Sequence, residues 1–126
     1  MNPRKILIVD DSSLARRSAR QMLEELGHTV QDAADGAQAL ERYFLDRPDL
    51  VLLDMVMTGM YGLDVLAKIR ELNPDALVIV VTADIQKSTE DQEKAAGAAA
   101  FLNKPLNREK LKQTVSAVLE GTFQWN

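Results

Sequence analysis

Three aspartates, one threonine and one lysine make up the most reactive combination of side chains in this sequence. Asp10 and Asp11 follow the apolar run 6–9, Asp54 follows 50–53, Thr82 follows 77–81, and Lys104 comes just after 99–102. Carboxylates brought close together repel and raise one another's pKa values. A hard divalent cation removes that conflict, and Mg²⁺ commonly takes one or two carboxylates plus waters and a phosphate oxygen. A metal so held polarises a phosphoryl group, and a carboxylate can then attack phosphorus to give an acyl phosphate. Lys104 would neutralise a phosphoryl oxygen as a point charge, and the Thr82 hydroxyl would donate a hydrogen bond to another. Taken singly, each of these residues has a plainer use. A strand-end aspartate can cap the next helix, as Asp11 or Ser12 is placed to do. Placement of all five after four different apolar runs is what favours shared chemistry.

Such a set needs a scaffold that ends several strands at one edge. The runs 6–9, 50–53 and 77–81 are short, rich in Ile, Val and Leu, and do not alternate, as strands buried on both faces require. Residues 29–33 and 99–102 are weaker strand candidates. Between them lie helical patterns. Ala15, Ala19, Met22 and Leu26 share one face that ends at Gly27. Asp35-Gly36 opens a second helix with Ala37, Leu40 and Phe44 on its inner face. Val65, Leu66, Ile69 and Leu72 form a third, stopped by Asn73-Pro74. Ser88 or Thr89 caps a shorter fourth that stops at Gly97, and Leu111, Val115, Val118 and Leu119 mark a fifth. Five strand–helix alternations predict an α/β domain with a parallel sheet and helices on both faces. In such a sheet, ligands sit beyond the carboxyl ends of the strands, where the strand order reverses.

Size and composition fit one domain: 126 residues, 46% hydrophobic, with net charge −4. The core is expected over about 5–120, with 121–126 as a tail. The mixed-sign surface gives no pull toward nucleic acid, and the cluster Arg16, Arg17 and Arg20 reads as a solvated helix face. With no cysteine, disulfides and thiolate chemistry are excluded. No apolar stretch is long enough for a membrane span or a signal peptide, so a cytoplasmic protein is expected.

At these residues the sequence resembles a response-regulator receiver domain of two-component signalling, the CheY-like family. The motifs are the apolar run closing in Asp10-Asp11, Leu52-Leu53-Asp54-Met55, Val80-Val81-Thr82-Ala83, and Lys104-Pro105. The resemblance runs from Lys5 to about Leu119. It implies a flavodoxin-like, three-layer (βα)5 fold with strand order 2-1-3-4-5. It makes Asp54 the phosphoacceptor, Asp11 a direct Mg²⁺ ligand and Asp10 a ligand mainly through water, with the Val56 backbone carbonyl completing the set. Thr82 and Lys104 would contact the phosphoryl group, and Lys104-Pro105 matches a cis peptide of the family. Phosphorylation would draw Thr82 inward and turn the switch aromatic, Phe101, into the vacated space. The face of helix four, strand five and helix five would then change for a downstream protein target. The donor would be a sensor histidine kinase or a phosphotransfer protein. Because the chain stops after its fifth helix, the expectation is a stand-alone switch of chemotaxis or phosphorelay type without an output domain.

Some positions depart from the family pattern. Thr58 replaces a usual proline, Val56 is apolar where polar groups can orient water, and Asp84 occupies another position tied to dephosphorylation; together they predict an altered phosphoryl lifetime. His28, the only histidine, reads as a surface residue after Gly27. Met55, Met57, Met60 and Tyr61 form an apolar loop suited to gap-filling or partner contact. Phe123 and Trp125 in the tail are placed to dock on this chain or on a partner. Other classes remain to be weighed. A haloacid-dehalogenase-type, Mg²⁺-dependent phosphatase wants a second Asp two residues after its nucleophile, where Ser12 and Ser13 stand after Asp10 and Asp11. A flavodoxin-like cofactor binder needs a phosphate-cradling loop after the first strand, where two aspartates would repel phosphate. A non-phosphorylated receiver-like binding module would have lost motif positions that are all filled here.

Overall fold

The computed structural model describes residues 3–57, 61–83 and 86–125. Strands and helices alternate along them: β1 Lys5–Val9, α1 Ser13–Glu25, β2 Thr29–Ala33, α2 Gly36–Asp46, β3 Leu50–Asp54, α3 Gly62–Leu72, β4 Val78–Thr82, α4 Lys87–Ala95, β5 Ala100–Asn103 and α5 Arg108–Glu120. All strand pairings are parallel, in the order β2-β1-β3-β4-β5. Every residue of β3 and β4 is buried, which explains the apolar runs that precede their last residues, Asp54 and Thr82: both faces of a central parallel strand are covered.

Alternate residues of each central strand point to opposite cores. Leu7, Val9, Val51, Leu53, Val78 and Val80 meet Ala39 and Tyr43 of α2 and Val65, Leu66 and Ile69 of α3. Ile6, Ile8, Leu52, Ile79 and Val81 meet Ala19 and Leu23 of α1 and Leu111, Val115 and Val118 of α5. The result is three layers. Polar side chains start several helices. The Ser12 hydroxyl accepts from the Ala15 N–H at the start of α1, Asp35 from Gln38 at α2, and Asn107 from Lys110 at α5. Gln38 returns the contact by accepting from the Ala34 N–H at 2.8 Å. No helix among the described residues is long and apolar enough to cross a membrane.

Several helical details differ from the sequence reading. The inner face of α2 is Ala39, Leu40 and Tyr43, whereas Ala37 is exposed and Phe44 is 61% exposed. Tyr43 is buried because its hydroxyl has a partner, accepting from Asn73 Nδ2 at 3.1 Å. Gln86, not Ser88 or Thr89, occupies the N-cap of α4. Leu23 is the most deeply buried residue of α1. Arg16 and Arg20 are not a merely solvated face. Arg20 donates to the Val30 carbonyl at 2.8 Å, and both guanidiniums lie 3.5 Å from Asp32, so they tie α1 to β2. His28 is buried rather than on the surface, its Nδ1 accepting from the Arg4 N–H at 3.2 Å.

Burial, and after it the Arg4 charge, lowers the His28 pKa below the ordinary 6.5. A depressed folded-state pKa means that the unfolded chain takes up a proton first, so stability is full above about 6.5 and falls as pH drops toward the folded value. Denaturation midpoints of the wild type should therefore decline through mildly acid pH, and His28→Gln should flatten that decline; equal slopes would assign the effect to other groups. A second prediction concerns Gly62, the first residue of α3. A Cβ there would lie 2.6 Å from Met55 Cα and 3.0 Å from the Asp54 carbonyl oxygen, both rigid backbone atoms. Gly62→Ala is expected to cost about 1–3 kcal/mol in urea unfolding. An unchanged unfolding curve would show that the α3 start can shift freely.

Candidate phosphoryl-transfer site

Strand order reverses between β1 and β3, which lie side by side while their following helices cover opposite faces. At this switch point β3 ends in Asp54 and β1 is followed directly by Asp10. Val9 is in register with Leu53, so Asp10 leaves β1 beside the end of β3. Asp54 is in register with Val81, and Thr82 with Asn103. Backbone bonds continue the ladders past the strands. The Asp10 N–H donates to Ala33 O at 3.2 Å, the Met55 N–H to Val81 O at 3.0 Å, and the Lys104 N–H to Thr82 O at 2.9 Å. The residues that carry the reactive groups are thus fixed by the sheet itself. The peptide bond after Lys104, to Pro105, is cis.

Asp10, Asp11 and Asp54 each place a carboxylate oxygen within 4.8 Å of the others'. Asp10 and Asp54 are buried, and Asp11 is exposed at the mouth. Asp10 is held at several points. Its Oδ1 accepts from the Ser12 N–H at 2.9 Å, and its backbone carbonyl accepts from Arg16 at 2.7 Å. Asp54 Oδ1 accepts from the Val56 N–H at 3.2 Å. Lys104 Nζ lies 3.2 Å from Asp54 Oδ2 and 3.6 Å from Asp10 Oδ2, bridging the two buried carboxylates.

Burial raises the Asp54 pKa above the ordinary carboxylate value. The Val56 N–H and Lys104 oppose that rise, while the Asp10 charge adds to it. Burial alone would lower the Lys104 pKa, but Asp54, and after it Asp10, outweigh this and the net shift is upward. One ammonium therefore counters two buried negative charges, and a third carboxylate stands beside them. An all-oxygen donor set with surplus negative charge suits a hard divalent cation, with Asp10, Asp11 and Asp54 the residues that fit it. With a cation in place, a carboxylate so placed beside a positive side chain can serve chemically as a nucleophile in phosphoryl transfer.

The other residues singled out from the sequence fall into three groups. Thr82 is buried at the same edge, and Val56 has its backbone at the site but its side chain 75% exposed. Phe101 is half-buried on β5 and stacks on Trp125, with ring centroids 5.4 Å apart. In the loop, Met57 is buried and Met55 packs against the core, so both fill gaps, while Tyr61 is 77% exposed. Thr58, Met60 and Asp84 lie outside the described residues. Arg16 was missed as a site residue. Its position one helical turn after Ser12 was the available signal, but an acceptor on the Asp10 backbone leaves no mark in the sequence.

Comparison with known proteins agrees with this geometry. The family model for the response regulator receiver domain matches residues 6–116. Response regulator MprA of Mycobacterium ulcerans is 38% identical over 118 residues, covering 94% of this chain and 51% of that protein. MprA of Mycolicibacterium vanbaalenii is also 38% identical, over 95% of this chain and 52% of its own length. The chain thus spans about half the length of these curated relatives. Among solved structures, chemotaxis protein CheY4 of Vibrio cholerae superposes with a TM-score of 0.88 at 30% identity, covering 93% of this chain and 99% of that one. A CheY-like receiver domain protein of Methanospirillum hungatei gives 0.89 at 30% identity, over 96% and 97%. With its parallel sheet in the order 2-1-3-4-5 and its carboxylates at the switch point, the chain belongs to the response regulator receiver domain family.

Proposed function

We propose that Asp54 accepts a phosphoryl group from a histidine kinase or phosphotransfer protein, with Mg²⁺ held by Asp10, Asp11, Asp54 and the Val56 backbone carbonyl. The observation that carries this reading is the gathering of three carboxylates within 4.8 Å, with Lys104 3.2 Å from the one at the end of β3. Bound Mg²⁺ would supply charge neutralisation and polarisation of the phosphoryl oxygens. An ionised Asp54 oxygen attacks phosphorus, an O–P bond forms, and the bond from phosphorus to the donor nitrogen breaks, its electrons leaving with the imidazole. Lys104 then exchanges its contact with the free carboxylate for one with a phosphoryl oxygen, which keeps its charge paired throughout. Thr82, buried at the end of β4, binds another phosphoryl oxygen.

Output follows from a change of surface. Movement of Thr82 toward the phosphoryl group frees space for Phe101, and the α4–β5–α5 face presents a different shape to a protein target. A phosphoryl group shifts this equilibrium only by as much as it binds the switched state better. The support for a protein-contact output, as a single receiver unit, is the near-complete overlap with CheY4, whose name places that protein in chemotaxis. The MprA relatives carry as much chain again beyond the match. Neither nucleic acid nor membrane is proposed as a partner of residues 1–126, whose net charge is −4, and the proposed location is the cytoplasm.

Incubation with acetyl phosphate and Mg²⁺, followed by intact-mass measurement, tests the phosphoacceptor. The wild type should gain one phosphoryl group that hydroxylamine removes, whereas Asp54→Asn and metal-free samples should gain none. Equal labelling of Asp54→Asn would rule Asp54 out as the acceptor. Lys104→Ala should still be labelled but should lose most of the conformational response seen in amide spectra.

A further inference from the structure

The C-terminal segment after α5 does not extend from the domain. Gly121 ends the helix in the left-handed region, with φ 76°, and turns the chain toward the open edge of the sheet. Phe123 packs against the core shared with α1 and α5. Two residues later, Trp125 packs against the opposite core, the one shared with α2 and α3. The tail therefore crosses β5, an edge strand, and joins the two layers over it. Ring contacts join the tail to the domain and brace it internally. Trp125 stacks on Phe101 at 5.4 Å and 29°, Phe123 meets Trp125 edge-on at 5.7 Å, and Lys94 Nζ of α4 lies 6.0 Å from the centre of the Trp125 ring. The same segment walls a cavity of about 400 Å³ whose lining includes Phe101, Lys104, Pro105, Lys110, Thr114 and Phe123. Elements α4, β5 and α5 are all engaged by a few residues.

We propose that residues 122–125 form an intramolecular latch on the α4–β5–α5 face, which holds the Phe101 ring stacked on Trp125 until Asp54 is phosphorylated. The inference rests on the phosphoacceptor reading of the site and adds a regulatory element that the reading does not contain. Its physical basis is mutual exclusion. Turning of the Phe101 ring toward Thr82, as the proposed switch requires, would carry it out of its stack on Trp125. Linkage makes the effect reciprocal: what phosphorylation releases, loss of the latch must favour. A downstream protein would therefore compete with the tail for the same surface, and the latch sets the threshold for output.

Trp125 is the only tryptophan, so its emission reports the latch directly. Beryllofluoride with Mg²⁺, a stable mimic of the phosphoryl group, is the probe. Saturation of the wild type should shift Trp125 emission to longer wavelength as the ring becomes solvated. The apparent affinity for beryllofluoride, read by fluorine NMR, should be tighter in Trp125→Ala by about fivefold or more. Trp125→Phe, which keeps an aromatic ring for the stack, should stay near the wild type. Unchanged emission at saturation, or equal affinities of wild type and Trp125→Ala, would overturn the latch while leaving Asp54 as acceptor. Failure of every variant to take up beryllofluoride would instead reject the phosphoacceptor reading, and the latch with it.

Discussion

Like charges held together by a rigid sheet are the constraint on which this structure turns. Asp10 and Asp54 are both buried and lie within 4.8 Å of one another. Two such charges repel by roughly 3–4 kcal/mol at an effective dielectric constant of about 20. One lysine between them removes part of that cost, since each carboxylate gains an attractive contact with the same ammonium. The arrangement stays short of positive charge, most of all when Asp11 is counted. A site left in that condition has a standing preference for a small, hard cation, and a cation there makes the addition of further negative charge feasible. Function and local instability thus have one source.

The fold supplies the rigidity that keeps these groups from relaxing apart. Parallel strands end together, so one residue beyond each strand is enough to converge several side chains on one edge. Backbone bonds from Asp10 to β2, from Met55 to β4, and from Lys104 to β4 leave little freedom at those positions. Close approach of Gly62 to Met55 packs the start of α3 directly against the end of β3. Arg16 anchors the Asp10 carbonyl from α1. Phe101 and the tail lie away from these fixed points, at the β5 edge of the sheet.

Sheet and site were legible in the sequence for the same reason. A strand buried on both faces must be apolar throughout, so a charged residue at its end is conspicuous, and Asp10, Asp54 and Thr82 all stand at such transitions. Helix orientation was less legible. In α2 the sets Ala37, Leu40, Phe44 and Ala39, Leu40, Tyr43 both obey helical spacing, and the choice was decided by Asn73, thirty residues away, which satisfies the Tyr43 hydroxyl. His28 reads as a turn residue because its backbone donor partner, the Arg4 N–H, comes from a residue 24 positions away, just before β1. Arg16 and Arg20 read as solvated because their partners are carbonyl oxygens, which every residue has, and Asp32 on a separate strand. Trp125 and Phe123 were visible as candidates for docking, but only the folded chain shows that Trp125 meets Phe101 and that Phe123 meets Trp125.

Cation occupancy of the acidic cluster should relieve repulsion among its own ligands. Thermal unfolding followed across a Mg²⁺ titration measures this most directly, because a ion that binds only the folded chain raises the midpoint by mass action. The wild-type midpoint should climb with Mg²⁺ and then level off, whereas Asp11→Asn should begin no lower than the wild type without metal and gain little on its addition. A variant that starts well below the wild type and then gains as much from Mg²⁺ would contradict the account.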